Sequence, residues 1–117
     1  MYLSHILGKQ GEKESERYLR KNNYEIIERN FNSKHGEIDI IAKEKNEMVF
    51  IEVKTRANKK YGNPIDAITN IKKNHLINAI EYYLYKNNME DAFIRIDAIE
   101  VYKNKEKFII KHTKNII

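Results

Sequence analysis

The stretch EIDIIAKEKNEMVFIEVKTR, Glu37 to Arg56, constrains this chain more than any other. It reads as two strands, GEIDIIAK and MVFIEVKT, around the polar turn EKNE, and strands joined by so few residues are antiparallel neighbours. Charged residues are depleted in strands, and a buried charge without a partner costs several kcal/mol. Glu37, Asp39, Glu52 and Lys54 therefore need a reason to interrupt runs of Ile, Val and Phe.

Alternation predicts Ile38, Ile40 and Ala42 on one face of the first of these strands, with Glu37, Asp39 and Ile41 on the other. A turn centred on Lys45 and Asn46 pairs Ala42 with Val49, Ile40 with Ile51 and Ile38 with Val53, which makes one face wholly apolar. The same register sets Ile41 beside Phe50, Asp39 beside Glu52, and Glu37 beside Lys54. A one-residue slip mixes apolar and charged faces, so the hydrophobic pattern selects this pairing or one two residues away. Carboxylates facing each other across a ladder destabilise a sheet unless something positive lies between them. Mg²⁺ suits such a place, because it takes one or two carboxylates and completes its octahedron with water and substrate phosphate. Lys54, two residues on, is then placed to assist a water or to neutralise a phosphate. The bland alternative is an exposed strand face that alternates Glu and Lys as protection against edge pairing.

Around this hairpin the chain reads as a helix from about Ser4 to Asn22, a strand YEIIERNF, the two strands above, a second helix from about Pro64 to Lys86, and closing strands AFIRIDAIEVY and KFIIKH. Asn22 and Asn23 are the stop signal of the first helix. Ile68, Leu76, Ala79, Ile80, Tyr83 and Leu84 make the apolar stripe of the second. A helix of that length permits a right-handed crossover that brings the fourth strand parallel to the third. The class expected is α/β, or mixed α+β, with a mixed sheet carrying a helix on each face or both on one. At 117 residues one domain spanning 1–117 is the natural division.

Composition excludes more than it selects. The absence of cysteine rules out a disulfide framework, a thiolate zinc site and a cysteine nucleophile. His5, His35, His75 and His112 show no ligand spacing. No run approaches a membrane span, and MYLSHILGKQ turns polar too soon for a signal peptide, so a cytoplasmic protein is expected. A net charge of +5 suits a polyanionic partner without requiring one. Lys72 is the odd residue of the second helix: four before Leu76, it lies within the apolar stripe and must snorkel or meet an anion. Glu12 stands among Glu14 and Glu16, a pattern usual on a solvated helix face.

An acidic residue in one strand followed by Glu-x-Lys in the next resembles the PD-(D/E)XK nuclease superfamily, whose restriction-endonuclease-like core is a helix, three strands, a helix and a further strand. Asp39 and Glu52-Val53-Lys54 match its motif, with Ile38 where proline is usual. The fuller resemblance is to the YraN-like family of small bacterial proteins often labelled endonucleases. GEKESERYL at Gly11 to Leu19, GEIDIIA at Gly36 to Ala42, VFIEVKTR at Val49 to Arg56, Lys72, and RID at Arg95 to Asp97 stand in that family's order and spacing. Ser15 replaces an expected alanine, and Ile96 an expected phenylalanine.

The resemblance implies that Asp39 and Glu52 hold Mg²⁺ or Mn²⁺ with the Val53 carbonyl, and that Lys54 assists the attacking water. It also implies that Glu12 adds a carboxylate and that Lys72 contacts phosphate. The function expected is metal-dependent hydrolysis of nucleic acid, with DNA as the leading partner, by a metal-activated water. Lys34, His35, Arg56, Lys59 and Lys60 are candidates to track its backbone, and a homodimer is compatible with the resemblance. The competing class is a nucleic-acid-binding module that has this fold but does not catalyse.

Overall fold

The computed structural model describes residues 2–56 and 70–117. The elements are α1 (Tyr2–Lys21), β1 (Glu25–Ser33), β2 (Gly36–Glu44), β3 (Glu47–Arg56), α2 (Asn70–Lys86), β4 (Phe93–Asn104) and β5 (Lys107–Thr113). The start expected for the second helix, with Pro64 and Ile68, lies outside the described residues, as do Lys59 and Lys60. Both helices end at a paired asparagine whose second member takes a left-handed conformation, Asn23 at φ 67° and Asn88 at φ 55°. Beyond each, Tyr24 N–H donates to the Leu19 carbonyl and Met89 N–H to that of Leu84, so the last-turn carbonyls are satisfied.

The five strands form one mixed sheet in the order β1-β2-β3-β4-β5. Every pair is antiparallel except β3 with β4, whose parallel pairing follows the α2 crossover. Alternate residues of the central strands divide the core. Ile40, Ala42, Val49, Ile51, Val53, Ile99 and Val101 pack with Leu19 of α1. Ile41, Met48, Phe50 and Ile96 pack with Leu76, Ala79, Ile80, Tyr83 and Leu84 of α2. One helix thus covers each face.

The hairpin register is the expected one at Ile40/Ile51, Ile41/Phe50 and Ala42/Val49, and it closes at Glu44/Glu47 around Lys45, which has φ 54°. It departs from expectation beyond Ile40/Ile51, where the ladder ends. The Ile38/Val53, Asp39/Glu52 and Glu37/Lys54 pairs do not form. Ile38 also changes side: it packs with Phe31 in the α2 layer, whereas Ile40 packs in the α1 layer. Two local features account for this. Asn30, between the Arg29/Ile40 and Phe31/Ile38 pairs, sits at φ 54° and breaks the alternation opposite Asp39. The Asp39 carboxylate then accepts the Val53 N–H at 2.7 Å, a donor that a continuing ladder would give to the main chain of β2.

The buried row of α1 runs through Gly11, Ser15 and Leu19 at i,i+4 spacing. Its small residues let the helix lie against the end of β3. A Cβ on Gly11 would meet Thr55 Oγ1 and come within 2.9 Å of Thr55 Cβ, and the Ser15 hydroxyl donates back to the Gly11 carbonyl at 2.8 Å. Ser15 is fully buried, and that bond satisfies its hydroxyl. Gly8, one turn earlier, has open space where a Cβ would stand. We expect Gly8→Ala to stabilise the protein by up to about 1 kcal/mol through helix propensity, and Gly11→Ala to destabilise it by about 1–3 kcal/mol through overpacking. Urea midpoints of the two variants check this, and equal stabilisation would refute close packing of α1 on Thr55.

Candidate active site

Where β2 and β3 part, a cleft of about 430 Å³ opens between the first halves of α1 and α2. Glu37 and Asp39 reach it from β2, Glu52, Val53, Lys54 and Thr55 from β3, Glu12 from α1, and Lys72 and His75 from α2. Five residues expected to act together, Glu12, Asp39, Glu52, Lys54 and Lys72, therefore line one space.

Its electrostatics are strongly coupled. Burial pushes the Asp39 carboxyl up to about 7, helped by the charges of Glu52, Glu12 and Glu37, against the opposing bond from Val53 N–H. Lys72 Nζ lies 3.2 Å from Glu52 Oε1, and Lys54 Nζ lies 3.7 Å from the same oxygen. Burial and the neighbouring Lys72 lower the Lys54 amine below the usual lysine range. Lys72 moves the other way: burial opposes its charge, but contact with Lys54 and the carboxylates Glu52 and Asp39 holds its proton more tightly. The two lysines thus differ in role, one readier to give up a proton and the other fixed as a cation. Glu12 is tethered to Arg29 at 3.5 Å.

The acceptor set suits a hard divalent cation. Asp39 and Glu52 suffer mutual repulsion that a cation would remove, and the chain turns away from regular pairing beside Val53. Among the described residues no group of three or more His, Asp or Glu side chains forms a ready-made cage. A cation in the cleft would have Asp39 and Glu52 as its carboxylates, within the one or two that Mg²⁺ takes from a protein.

Other expectations fall elsewhere. Lys34 and His35 sit on the β1–β2 turn, where the His35 ring lies 5.7 Å from that of Tyr82 on the outer side of α2, not in the cleft. Arg56 stands at the end of β3 opposite Tyr102 and does not line the cleft, and its Nε is buried without a hydrogen-bond partner among the described residues. Glu37 lines the cleft instead of pairing with Lys54, which turns to Glu52. His75 was missed as a site residue, although it follows Lys72 by three positions on a helix, and that spacing places both on one side.

The profile of the uncharacterised protein family UPF0102 matches residues 11–101. The chain belongs to that family. The matched span carries every cleft residue named above; Gly8, which also lines the cleft, precedes it. A UPF0102 protein from Caldicellulosiruptor saccharolyticus is 44% identical over 104 residues, covering 89% of this chain and 88% of its own. UPF0102 proteins from Caldanaerobacter subterraneus and Clostridioides difficile are 40% and 42% identical, covering 95% and 90% of this chain and 91% and 90% of theirs. Among solved structures, that of SSO0001 aligns with 96% of this chain and about half of its own, 52%, at 20% identity and a TM-score of 0.38, too loose a likeness to inform function. Among the described residues no helix is long and apolar enough to cross a membrane.

Proposed function

We propose that this UPF0102 protein hydrolyses phosphodiester bonds in nucleic acid, DNA before RNA, with Mg²⁺ or Mn²⁺ held by Asp39 and Glu52 beside the Val53 carbonyl. The observation that carries the reading is the convergence of Asp39, Glu52, Lys54 and Lys72 on one cleft at the end of a strand pair. The resemblance of Asp39 and Glu52-Val53-Lys54 to the PD-(D/E)XK motif, on a helix, three strands, helix, strand order, supports it.

When bound, the cation supplies Lewis-acid charge at the phosphate and lowers the pKa of a water. The chain's own groups do the rest. Lys54, its amine already lowered by burial and by Lys72, can in its neutral form take a proton from the attacking water. Lys72, fixed as a cation against Glu52, offers positive charge to a non-bridging phosphate oxygen as charge develops there. Glu12 and Glu37 keep the cleft acidic, which favours a cation entering and holds the Asp39 proton until it does.

A second reading, a module that binds nucleic acid without cutting it, draws on the same ion pairs, since Lys54 and Lys72 already neutralise Glu52. One experiment separates the two. Single-stranded, duplex, flapped and four-way-junction DNA are incubated with the protein and Mg²⁺, Mn²⁺ or chelator, beside Glu52→Gln and Lys54→Ala. Hydrolysis should require the metal and fall by about 10²–10⁴-fold in each variant. Undiminished binding with no cleavage of any substrate refutes the enzyme.

A further inference from the structure

The charged residues of α1 fall into rows at i,i+4 spacing, each step rising about 6 Å. Beside the buried row lies a rim row of Gly8, Glu12, Glu16 and Arg20, and outside that an exposed row of His5, Lys9, Lys13 and Arg17. These two rows face β1 across a furrow of two adjoining cavities, about 860 and 360 Å³, which share Lys13 and Arg29. The larger runs into the candidate active site through the common residues Gly8, Glu12 and Glu37.

Charge in the furrow is uneven. Lys9, Lys13, Arg17, Arg20 and Arg29 line it against Glu12, Glu16 and Glu37. Arg29 satisfies much of the acidity, bridging Glu12 at 3.5 Å and Glu16 at 3.1 Å, and its Nε is buried with no hydrogen-bond partner among the described residues. Lys9 and Lys13 make no ion pair among the described residues. A mixed charge run on a helix is ordinarily a solvated face. This one differs because Lys9, Lys13 and Arg17 align in one row, because two of them make no ion pair among the described residues, and because the row leads into the cleft that holds the carboxylates. Asn30 and Asn32 of β1 add neutral hydrogen-bonding groups along the opposite wall.

We infer that the furrow between α1 and β1 is the track for one strand of nucleic acid, its sugar-phosphate backbone lying along Lys9, Lys13 and Arg17 and running into the cleft. The i,i+4 rise is close to the separation of successive phosphates on a strand, so one cation can serve each. The inference rests on the proposed function for its direction, toward Asp39 and Glu52, but binding can be measured without hydrolysis.

The test uses Glu52→Gln protein, a fluorescein-labelled 20-nucleotide single strand and fluorescence anisotropy across a range of NaCl concentrations. Lys9→Ala/Lys13→Ala/Arg17→Ala should bind at least tenfold more weakly, with the slope of log K against log[salt] shallower by about 2, at about 0.7 for each phosphate no longer neutralised. Lys43→Ala/Lys45→Ala/Lys114→Ala removes the same charge away from the furrow, the first two at the β2–β3 hairpin, and should change affinity less than twofold. Equal weakening by the two triples, or none by the first, overturns the furrow. Where wild type cleaves nothing but the two triples differ as expected, hydrolysis fails and the furrow stands. Where cleavage depends on Glu52 but the furrow triple keeps its affinity and salt slope, the furrow fails and hydrolysis stands.

Discussion

Asp39→Asn is expected to abolish cleavage, by at least 10³-fold, while making the metal-free protein more stable at pH 8. The asparagine side-chain oxygen can still accept the Val53 N–H that Asp39 now takes at 2.7 Å, so the local fold survives. What disappears is a carboxylate that burial and Glu52 push up to about 7 from its ordinary 3.8. Between those values the folded state binds more protons than the unfolded one, so stability is present in full below about pH 4 and is lost as pH rises through about 7. The full shift corresponds to about 4 kcal/mol at 1.36 kcal/mol per unit, and solvent screening of a half-buried group reduces it to about 2. Urea midpoints in chelator should therefore fall from pH 5 to pH 8 more steeply in wild type than in Asp39→Asn. Adding Mg²⁺ at pH 8, where the Asp39 carboxyl is ionised, should raise the wild-type midpoint by relieving its repulsion with Glu52, with no gain in the variant. Identical pH profiles would mean that Asp39 does not carry the repulsion, and the case for a cation there would fall with it.

How far the sequence revealed this site depended on the kind of interaction involved. The register from Ile40/Ile51 to Ala42/Val49 was legible because a one-residue slip would bury charge. Lys72 was legible because it interrupts an apolar stripe and so had to snorkel or meet an anion; it meets Glu52. The end of the ladder was not legible. It depends on a left-handed Asn30 and on a side chain taking a main-chain donor, and hydrophobic alternation records neither. The same break carries Ile38 to the α2 layer and opens the cleft, so the point where the alternation fails is the point where the site forms. The α1 furrow was hidden differently. Its acids and bases are interleaved along α1, and only the geometry shows that Arg29 from β1 takes up two of the acids while Lys9 and Lys13 make no ion pair among the described residues. Lys34 and His35 looked like a basic approach to the site, but the β1–β2 turn packs on α2, where an added Cβ on Gly36 would lie 2.9 Å from the His75 carbonyl. That packing holds His35 beside Tyr82.

Asp97→Ala is expected to cost about 3–5 kcal/mol, the largest stability loss expected of any single side chain named above, without entering the chemistry of the cleft. The Arg95-Ile96-Asp97 motif lies within the UPF0102 match, yet neither charged side chain lines the cleft. Asp97 is fully buried and receives two bonds from Arg95 at 2.9 Å, and the Asn115 N–H donates to it at 3.0 Å. His112 Nε2 lies 2.7 Å from it, and His112 Nδ1 meets the Tyr18 hydroxyl at 3.0 Å. Arg95 continues to Glu44 at 2.9 Å, Glu47 at 3.3 Å and the Tyr24 hydroxyl at 2.7 Å. One carboxylate thus ties the closing turn of the β2–β3 hairpin, the exit of α1, β5 and the C-terminal segment to β4. Its removal takes two of the five hydrogen bonds of the largely buried Arg95 guanidinium. The pH dependence is opposite in sign to that of Asp39. Burial pushes the Asp97 carboxyl up, but bonds from His112, Arg95 and Asn115 outweigh it and hold it below its ordinary 3.8. This contribution is therefore present above about pH 4 and lost as pH falls through the depressed value. Wild type and Asp97→Ala should differ most near pH 7 and converge on acidification below pH 4, as measured by urea denaturation at each pH. A loss under about 1 kcal/mol at pH 7, or a gap that does not narrow in acid, would deny the motif this structural role.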